Sequence, residues 1–214
     1  MVMKYNSNLH TKGMLIKILL SKIENLVSKP FRNRKGIIVL NYHGTQLEFI
    51  GNFESQIKFM VEHFIPIAPS QFEDYMAGNI ELNNKLPYFI LSFDDGVKNN
   101  LYVLDILTKY GLYAYFFIVP EFINSEDQKS YFVRNIRPVN NSYVDNKLED
   151  YSALNLSEIK SIIKNGHTIG CHTMTHSMTS SASPKDLNYE LVESKSLLEE
   201  LLNYQINTFC SINN

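Results

Sequence analysis

Residues 88–96 read Tyr-Phe-Ile-Leu-Ser-Phe-Asp-Asp-Gly, and this stretch decides the fold class. Its first six residues are apolar apart from one serine, which predicts a strand buried on both faces. The Asp-Asp-Gly that follows ends the strand in a turn. Strands buried on both faces belong to parallel sheets covered by helices, so the stretch predicts an α/β protein.

The sequence on either side repeats the alternation of strand and helix. Further strands are predicted at 37–40, 113–119, 167–171 and from Ile206, and helices at 98–110, 157–164 and 184–202. Another helix carries Phe53, Ile57 and Met60 on one face, and a short one is predicted to begin at Ser70 as its cap. This order predicts a single domain with a parallel sheet.

Two segments fall outside this alternation. Residues 120–155 are polar, rich in asparagine and too long for a plain connection, so we expect a functional excursion or a mobile loop. Residues 1–35 form an N-terminal extension, in which the apolar spacing between 14 and 29 predicts an amphipathic helix. We interpret it as a docking helix, with contact to a membrane surface through residues 14–29 as the alternative.

Composition excludes several classes of protein. The chain has 214 residues, 44% hydrophobic and 20% charged, as expected for a globular domain with one core. A net charge of -2 without runs of like charge gives no reason to expect a nucleic-acid partner. No glycine-rich phosphate loop follows any predicted strand. No secretory signal or transmembrane segment is visible, which favours a cytoplasmic or membrane-peripheral location.

The chain contains two cysteines, Cys171 and Cys210. Two are too few for a disulfide framework, and their number suits a reducing compartment. Both lie in apolar runs that resemble strands, so we interpret them as small buried apolar residues.

Polar residues with metal-binding chemistry follow three of the predicted strands. His43 comes after the first strand, Asp94 and Asp95 after the second, and His172 after the fourth, with His176 four residues further on. The carboxyl ends of parallel strands meet at one edge, where active sites of α/β proteins are built. We therefore expect these five side chains to lie close together.

Two imidazoles and a carboxylate are a common ligand set for a divalent cation, and a second carboxylate beside them can act as a general base. Each pattern also has a structural interpretation. Asp-Asp-Gly can be a plain turn or helix cap, and His43 can bond a nearby loop. The His-x-x-x-His pair is not the zinc-peptidase motif, because Thr173 occupies the position of its glutamate.

Ser92-Phe93-Asp94-Asp95-Gly96 matches the form T/S-F-D-D-G, and His172-Thr173-Met174-Thr175-His176 matches the form H-S/T-x-x-H. Together they resemble the first two motifs of the polysaccharide deacetylase family, also called the NodB homology domain or carbohydrate esterase family four. Residues 37–44, with Tyr42-His43, resemble the family's opening strand. The resemblance covers roughly residues 36–210.

The resemblance implies a distorted, incomplete (β/α) barrel of the glycoside hydrolase and deacetylase type. It implies a metal-dependent hydrolase that removes N-acetyl groups, or O-acetyl groups as the second choice, from an acetylated glycan. Asp94 would be the base that activates a metal-bound water, and Asp95, His172 and His176 would hold the cation. We expect Zn²⁺, with Co²⁺, Ni²⁺ or Mn²⁺ as alternatives. His43, Thr173 and Thr175 would support the ligands or the substrate, and Thr173 and Thr175 lie within the second motif.

The sequence departs from the family pattern after Ile206. The family's third motif supplies an arginine that orients the base, and later segments supply a hydrophobic wall and a histidine acid. Residues 208–214, Thr-Phe-Cys-Ser-Ile-Asn-Asn, have no counterpart to these groups. We therefore expect residues 36–214 to be a deacetylase-like domain that lacks its C-terminal part. The alternatives are a non-catalytic remnant that binds sugar or metal, and an α/β domain whose polar strand ends only cap helices.

Overall fold

A computed structural model of the chain describes residues 36–83, 86–139 and 151–212. Five parallel strands form one sheet within these residues: β1 (Ile37–Tyr42), β2 (Ile65–Pro66), β3 (Tyr88–Phe93), β4 (Ala114–Ile118) and β5 (Thr168–Cys171). The order is β1-β3-β4-β5, and the short β2 pairs with the first residues of β3. The predicted amphipathic helix at 14–29 lies outside the described residues.

Helices follow the strands in the predicted alternation. They are α1 (Ile50–His63), α2 (Pro69–Met76), α3 (Leu104–Lys109), α4 (Pro120–Asn124), α5 (Gln128–Tyr131), α6 (Leu156–Lys164), α7 (Pro184–Leu187) and α8 (Ser194–Leu202). The sheet stays open over the part of the chain that the structure describes. This confirms the predicted α/β class and the incomplete barrel. Of the helices described, none is long and apolar enough to cross a membrane.

β3 forms the centre of the core. Phe89, Leu91 and Phe93 are each at most 1% exposed. The ring of Phe93 stacks on Tyr42 of β1 at 5.5 Å and on Phe116 of β4 at 4.9 Å between centroids. Burial of such rings is the main favourable contribution to folding, and here it also joins three neighbouring strands just before Asp94.

Helices and turns differ from the predicted pattern in three places. α2 begins at Pro69 rather than after a Ser70 cap, because Pro is suited to the first helical position and Gln71 Oε1 accepts the Ala68 N–H at 3.0 Å. A 3₁₀ turn (Lys98–Val103) precedes α3, and a π-helical turn (Asn188–Glu193) separates α7 from α8. Both lie inside segments predicted as single helices.

The predicted strand from Ile206 is reduced to one parallel bridge between Phe209 and Cys171. Its backbone still runs beside β5, because the Cys171 N–H donates to the Thr208 carbonyl at 3.0 Å. This segment lies close to β5 at Gly170. A Cβ at that position would lie 2.7 Å from Thr208 Oγ1 and 2.5 Å from the Phe117 ring.

The segment predicted as a loop at 120–155 is helical over its described first part. α4 and α5 are followed by a π-helical turn (Phe132–Ile136) and a 3₁₀ turn (Arg137–Val139). Their apolar side chains form a second buried cluster, which contains Phe122, Phe132 and Tyr151. Residues 120–139 are therefore helical and not a plain loop, and aromatic side chains anchor this segment to the domain. The functional excursion stays a prediction.

Candidate active site

The structure brings the five predicted strand-end side chains together. Asp95 Oδ1 lies 2.9 Å from His176 Nε2 and 3.4 Å from His172 Nε2. Asp94 Oδ2 lies 3.9 Å from His172 Nε2 and 4.0 Å from His43 Nε2. The inner four are at most 5% exposed, whereas the His43 side chain is 30% exposed. The cluster thus has a buried centre and one member at the surface.

Backbone carbonyls fix the orientation of both inner imidazoles. His172 Nδ1 donates to the Cys210 carbonyl at 2.9 Å, and His176 Nδ1 donates to the Asn135 carbonyl at 3.0 Å. A carbonyl can only accept, so each Nδ1 carries the proton and each Nε2 is directed at Asp95. Sequence reasoning missed both partners, since a backbone carbonyl leaves no signal in the sequence.

Asp95, His172 and His176 form a set that can hold a metal ion. One ligand atom from each lies within 4.8 Å of the others, and all three residues are buried. Histidine ligands that donate their second nitrogen to a carbonyl are typical of protein metal sites. The donor set therefore fits a divalent cation.

The two aspartates differ in electrostatic environment. Burial alone would raise the pKa of Asp95, but the hydrogen bonds to His172 and His176 outweigh it and hold that pKa far below its usual range. Burial raises the pKa of Asp94, and this is only partly offset by His172 and by a hydrogen bond from Asn41. Asp94 is therefore the more basic carboxylate of the pair.

Asp94 has two neighbours that the sequence did not identify. Asn41 Nδ2 donates to Asp94 Oδ2 at 2.8 Å, and the Cys210 thiol lies 3.8 Å from the same oxygen. The interpretation of Cys210 as a buried apolar residue is wrong, because it is partly exposed beside the site. Cys171 is buried as predicted, and its thiol contacts Ser194 Oγ at 3.0 Å. Asn41 could have been predicted from the sequence, since it lies at the end of β1, two residues before His43.

The turn after β3 and the loop that carries both histidines are held in strained backbone conformations. Asp95, Thr173 and His176 have φ of 72°, 62° and 66°, which non-glycine residues rarely adopt. The buried Glu190 holds this loop by accepting the Met174 N–H at 2.8 Å. Glu190 also accepts the N–H of Thr175 at 3.0 Å and its hydroxyl at 2.6 Å.

Within the described residues, neither threonine hydroxyl of the second motif forms a hydrogen bond to an imidazole. The Thr175 hydroxyl bonds to Glu190 and Ser177. The Thr173 hydroxyl is buried and has no hydrogen-bond partner among the described residues. Glu190 was missed because it lies fourteen residues beyond the motif, on a π-helical turn that the sequence pattern does not predict.

A parallel sheet with two carboxylates and two imidazoles at its carboxyl edge defines an open (β/α)-barrel protein with a candidate metal site. Residues 82–211, more than half of the chain, match the family model described as polysaccharide deacetylase. The chain therefore belongs to the polysaccharide deacetylase family, which confirms the predicted family and the enzyme class of carbohydrate deacetylase. No curated protein matches the chain.

Solved structures of deacetylases share the fold. IcaB from Ammonifex degensii is 20% identical, with a TM-score of 0.63 over 84% of this chain and 75% of that one. The Streptococcus pyogenes deacetylase PplD is 19% identical, with a TM-score of 0.56 over 83% and 73%. BC0361, a polysaccharide deacetylase from Bacillus cereus, is 23% identical, with a TM-score of 0.56 over 81% of this chain. The chain covers 49% of the B. cereus protein, about half of its length.

Proposed function

We propose that this protein is a metal-dependent deacetylase that hydrolyses N-acetyl groups on a polysaccharide, with O-acetyl groups as the second substrate. The observation that carries the proposal is the buried set of Asp95 with His172 and His176. The Nε2 atoms of both imidazoles lie 3.4 Å or less from one carboxylate oxygen. Asp94 stands beside this set as a separate carboxylate, 3.9 Å from His172 Nε2.

Asp95, His172 and His176 would hold the cation. We propose Zn²⁺, because two imidazoles and a carboxylate are typical of catalytic zinc sites, and Co²⁺, Ni²⁺ or Mn²⁺ accept similar donors. When bound, the cation supplies Lewis-acid chemistry, lowering the pKa of water and polarising the acetyl carbonyl. Asp95 is ionised although it is fully buried, and a bound cation would balance this negative charge.

Asp94 is the proposed general base. Its Oδ2 accepts the amide of Asn41, whereas its buried Oδ1 has no hydrogen-bond partner among the described residues. Asp94 takes a proton from the attacking water, whose oxygen forms the new bond to the acetyl carbon. The burial that raises the pKa of Asp94 makes it a stronger proton acceptor than an exposed aspartate.

His43 is the proposed proton donor. Its Nε2 lies 4.0 Å from Asp94 Oδ2, and its side chain is 30% exposed at the edge of the buried cluster. When the carbon–nitrogen bond breaks, the departing amine needs a proton, which His43 would deliver. The products are acetate and the free amino sugar.

The test is acetate release from an acetylated glycan by the full chain loaded with Zn²⁺. We expect release to stop with a chelator and in His172→Ala, and to persist in His63→Ala, which removes an exposed histidine of α1. Calorimetry should show one divalent ion bound to the unchanged chain and none to His172→Ala. An ion bound without any acetate release would instead support the non-catalytic remnant. No bound ion would contradict both.

A further inference from the structure

A cleft of about 270 Å³ lies at the carboxyl end of β1. The same edge of the sheet carries the acid–histidine cluster, which consists of His43, Asp94, Asp95, His172 and His176. Its walls include aromatic rings and side-chain amides, those of Tyr42, Gln46, Phe49, Asn52, Gln56 and Tyr151. No charged side chain is among the described residues that line it. His43 lies between two lining residues in the chain, and its Nε2 is 4.0 Å from Asp94 Oδ2. The cleft and the cluster therefore lie at the same edge of the sheet, and His43 connects them along the chain.

The cleft is fixed relative to Asp94 by contacts on two sides. The ring of Tyr42 stacks on Phe93, the residue before Asp94, at 5.5 Å between centroids. On the other side, the Thr45 N–H donates to Asn99 Oδ1 at 3.0 Å. The hydroxyl of the same threonine lies 3.0 Å from Asn100 Oδ1. The cleft wall is thus attached to the segments that precede and follow the two aspartates.

Gln46, one of the residues that line the cleft, has an unpaired polar atom. The residue is 4% exposed, and its Nε2 donates to the Tyr151 hydroxyl at 2.5 Å. Its Oε1 is buried and has no hydrogen-bond partner among the described residues. Turning the amide over would only exchange the two atoms, so one of them is left unpaired either way. Buried amide atoms are nearly always paired, so this one calls for a polar ligand or water.

We infer that this cleft is a sugar-binding subsite, which holds a ring of the polysaccharide adjacent to the acetylated ring at Asp94. The inference rests on the proposed function. Amide side chains can both donate to and accept from sugar hydroxyls, and aromatic rings present apolar surface to the ring carbons. The uncharged walls favour a neutral sugar over a phosphate or a charged peptide. The volume lies just below the usual range of ligand pockets, about 300–1,000 Å³, so it suits a single ring.

The test compares a long and a short substrate on the full chain loaded with Zn²⁺. Phe49→Ala removes a ring that is 48% exposed, and Gln46→Leu replaces the buried amide by an apolar group of similar size. We expect each variant to raise KM for an N-acetylglucosamine tetramer about tenfold, as for the loss of one good contact, with kcat unchanged. KM for the monomer should not change. Phe59→Ala, a 46% exposed ring of α1 outside this cleft, is the matched control.

The outcomes separate the subsite from the proposed function. Hydrolysis of the tetramer with the same KM in Phe49→Ala, Gln46→Leu and the unchanged chain would overturn the subsite and leave the deacetylase intact. Absence of hydrolysis of both substrates by the Zn²⁺-loaded chain would contradict the deacetylase. In that case, calorimetry with the tetramer decides the subsite. Binding that Phe49→Ala weakens supports it, and equal or absent binding overturns it.

Discussion

β3 and β1 pair along their whole lengths and end at the same edge of the sheet, yet they differ in burial. Phe89, Leu91 and Phe93 of β3 are each at most 1% exposed, whereas Ile38 and Val39 of β1 are 37% and 59% exposed. β3 is covered on both sides by neighbouring strands. β1 has one paired edge within the described residues.

The two strands also deliver different chemistry. β3 ends next to the two aspartates, which are buried among imidazoles; burial raises the pKa of Asp94, whereas hydrogen bonds to the imidazoles outweigh burial and lower the pKa of Asp95. β1 ends in Asn41 and Tyr42 and is followed by His43; all three are at least partly exposed, and Tyr42 lines the cleft. The difference indicates a division of roles. The buried strand holds the charged centre, and the partly exposed strand provides the groups proposed to meet the substrate.

The largest expected effect is at the end of β3. Asp94→Asn should lower kcat about 10²–10⁴-fold, because an amide cannot accept the proton of the attacking water. The affinity for a divalent ion, measured by calorimetry, should change little because the three proposed ligands remain. A variant that loses the ion together with activity would instead make Asp94 part of the metal set, and the two aspartates would share one role.

A stability measurement tests the difference in burial itself. Leu91→Ala in β3 should lower the free energy of unfolding by about 2–5 kcal/mol, because it leaves a cavity in the core. Val39→Ala in β1 should cost less than about 1 kcal/mol, since that side chain is 59% exposed. Urea denaturation of both variants gives the values. Equal losses would show that β1 is as well covered as β3, which would remove the contrast.

His43 tests the role of β1 in the reaction. His43→Asn should lower kcat on an N-acetyl sugar about 10²-fold, near the lower limit for proton transfer by a side chain. The loss should be much smaller on a nitrophenyl acetate ester, because a nitrophenolate leaves without being protonated. The same loss on both substrates would assign His43 to positioning and not to proton donation.

A last prediction concerns the opposite edge of the sheet, far from the reaction, where His167 precedes β5. Burial lowers the pKa of His167 to about 4, and its Nδ1 accepts the Ala114 N–H at 3.3 Å. The unfolded chain therefore takes up this proton first, near the ordinary pKa of about 6.5. Stability should be complete above that pH and fall by up to about 1.4 kcal/mol per unit between pH 6.5 and 4. Denaturation at several pH values should show a shallower slope in His167→Gln, whereas the exposed-histidine variant His63→Gln should keep the original slope.

Much of the fold and the centre of the site could be predicted from the sequence. The apolar run at 88–93 indicated a buried parallel strand, and the strand ends indicated that Asp94, Asp95 and His172 would meet. These predictions work because strand polarity alone decides which edge of a parallel sheet the side chains reach. The roles of these residues as base and metal ligands stay predictions.

The surroundings of the site could not be predicted in the same way. Asn135 and Cys210 contact the imidazoles through carbonyl groups, whose positions depend on how distant segments pack. Glu190 reaches the histidine loop from a π-helical turn, which shifts the helical register and hides the spacing. Sequence periodicity reports local structure, so it fails where the contact depends on an irregular turn.

The π-helical turn Asn188–Glu193 bears on how this gene can change over time. Such a turn holds one residue more than a regular α-helical turn. Deleting one residue there would restore regular winding and change the directions of the side chains inside the turn, while the helix on either side keeps its orientation. Glu190 lies inside this turn, so its hydrogen bonds to the backbone of Met174 and Thr175 would be disturbed. We expect this helix to tolerate substitutions more readily than insertions or deletions. Its length should therefore vary less among descendants of this gene than the identity of its residues.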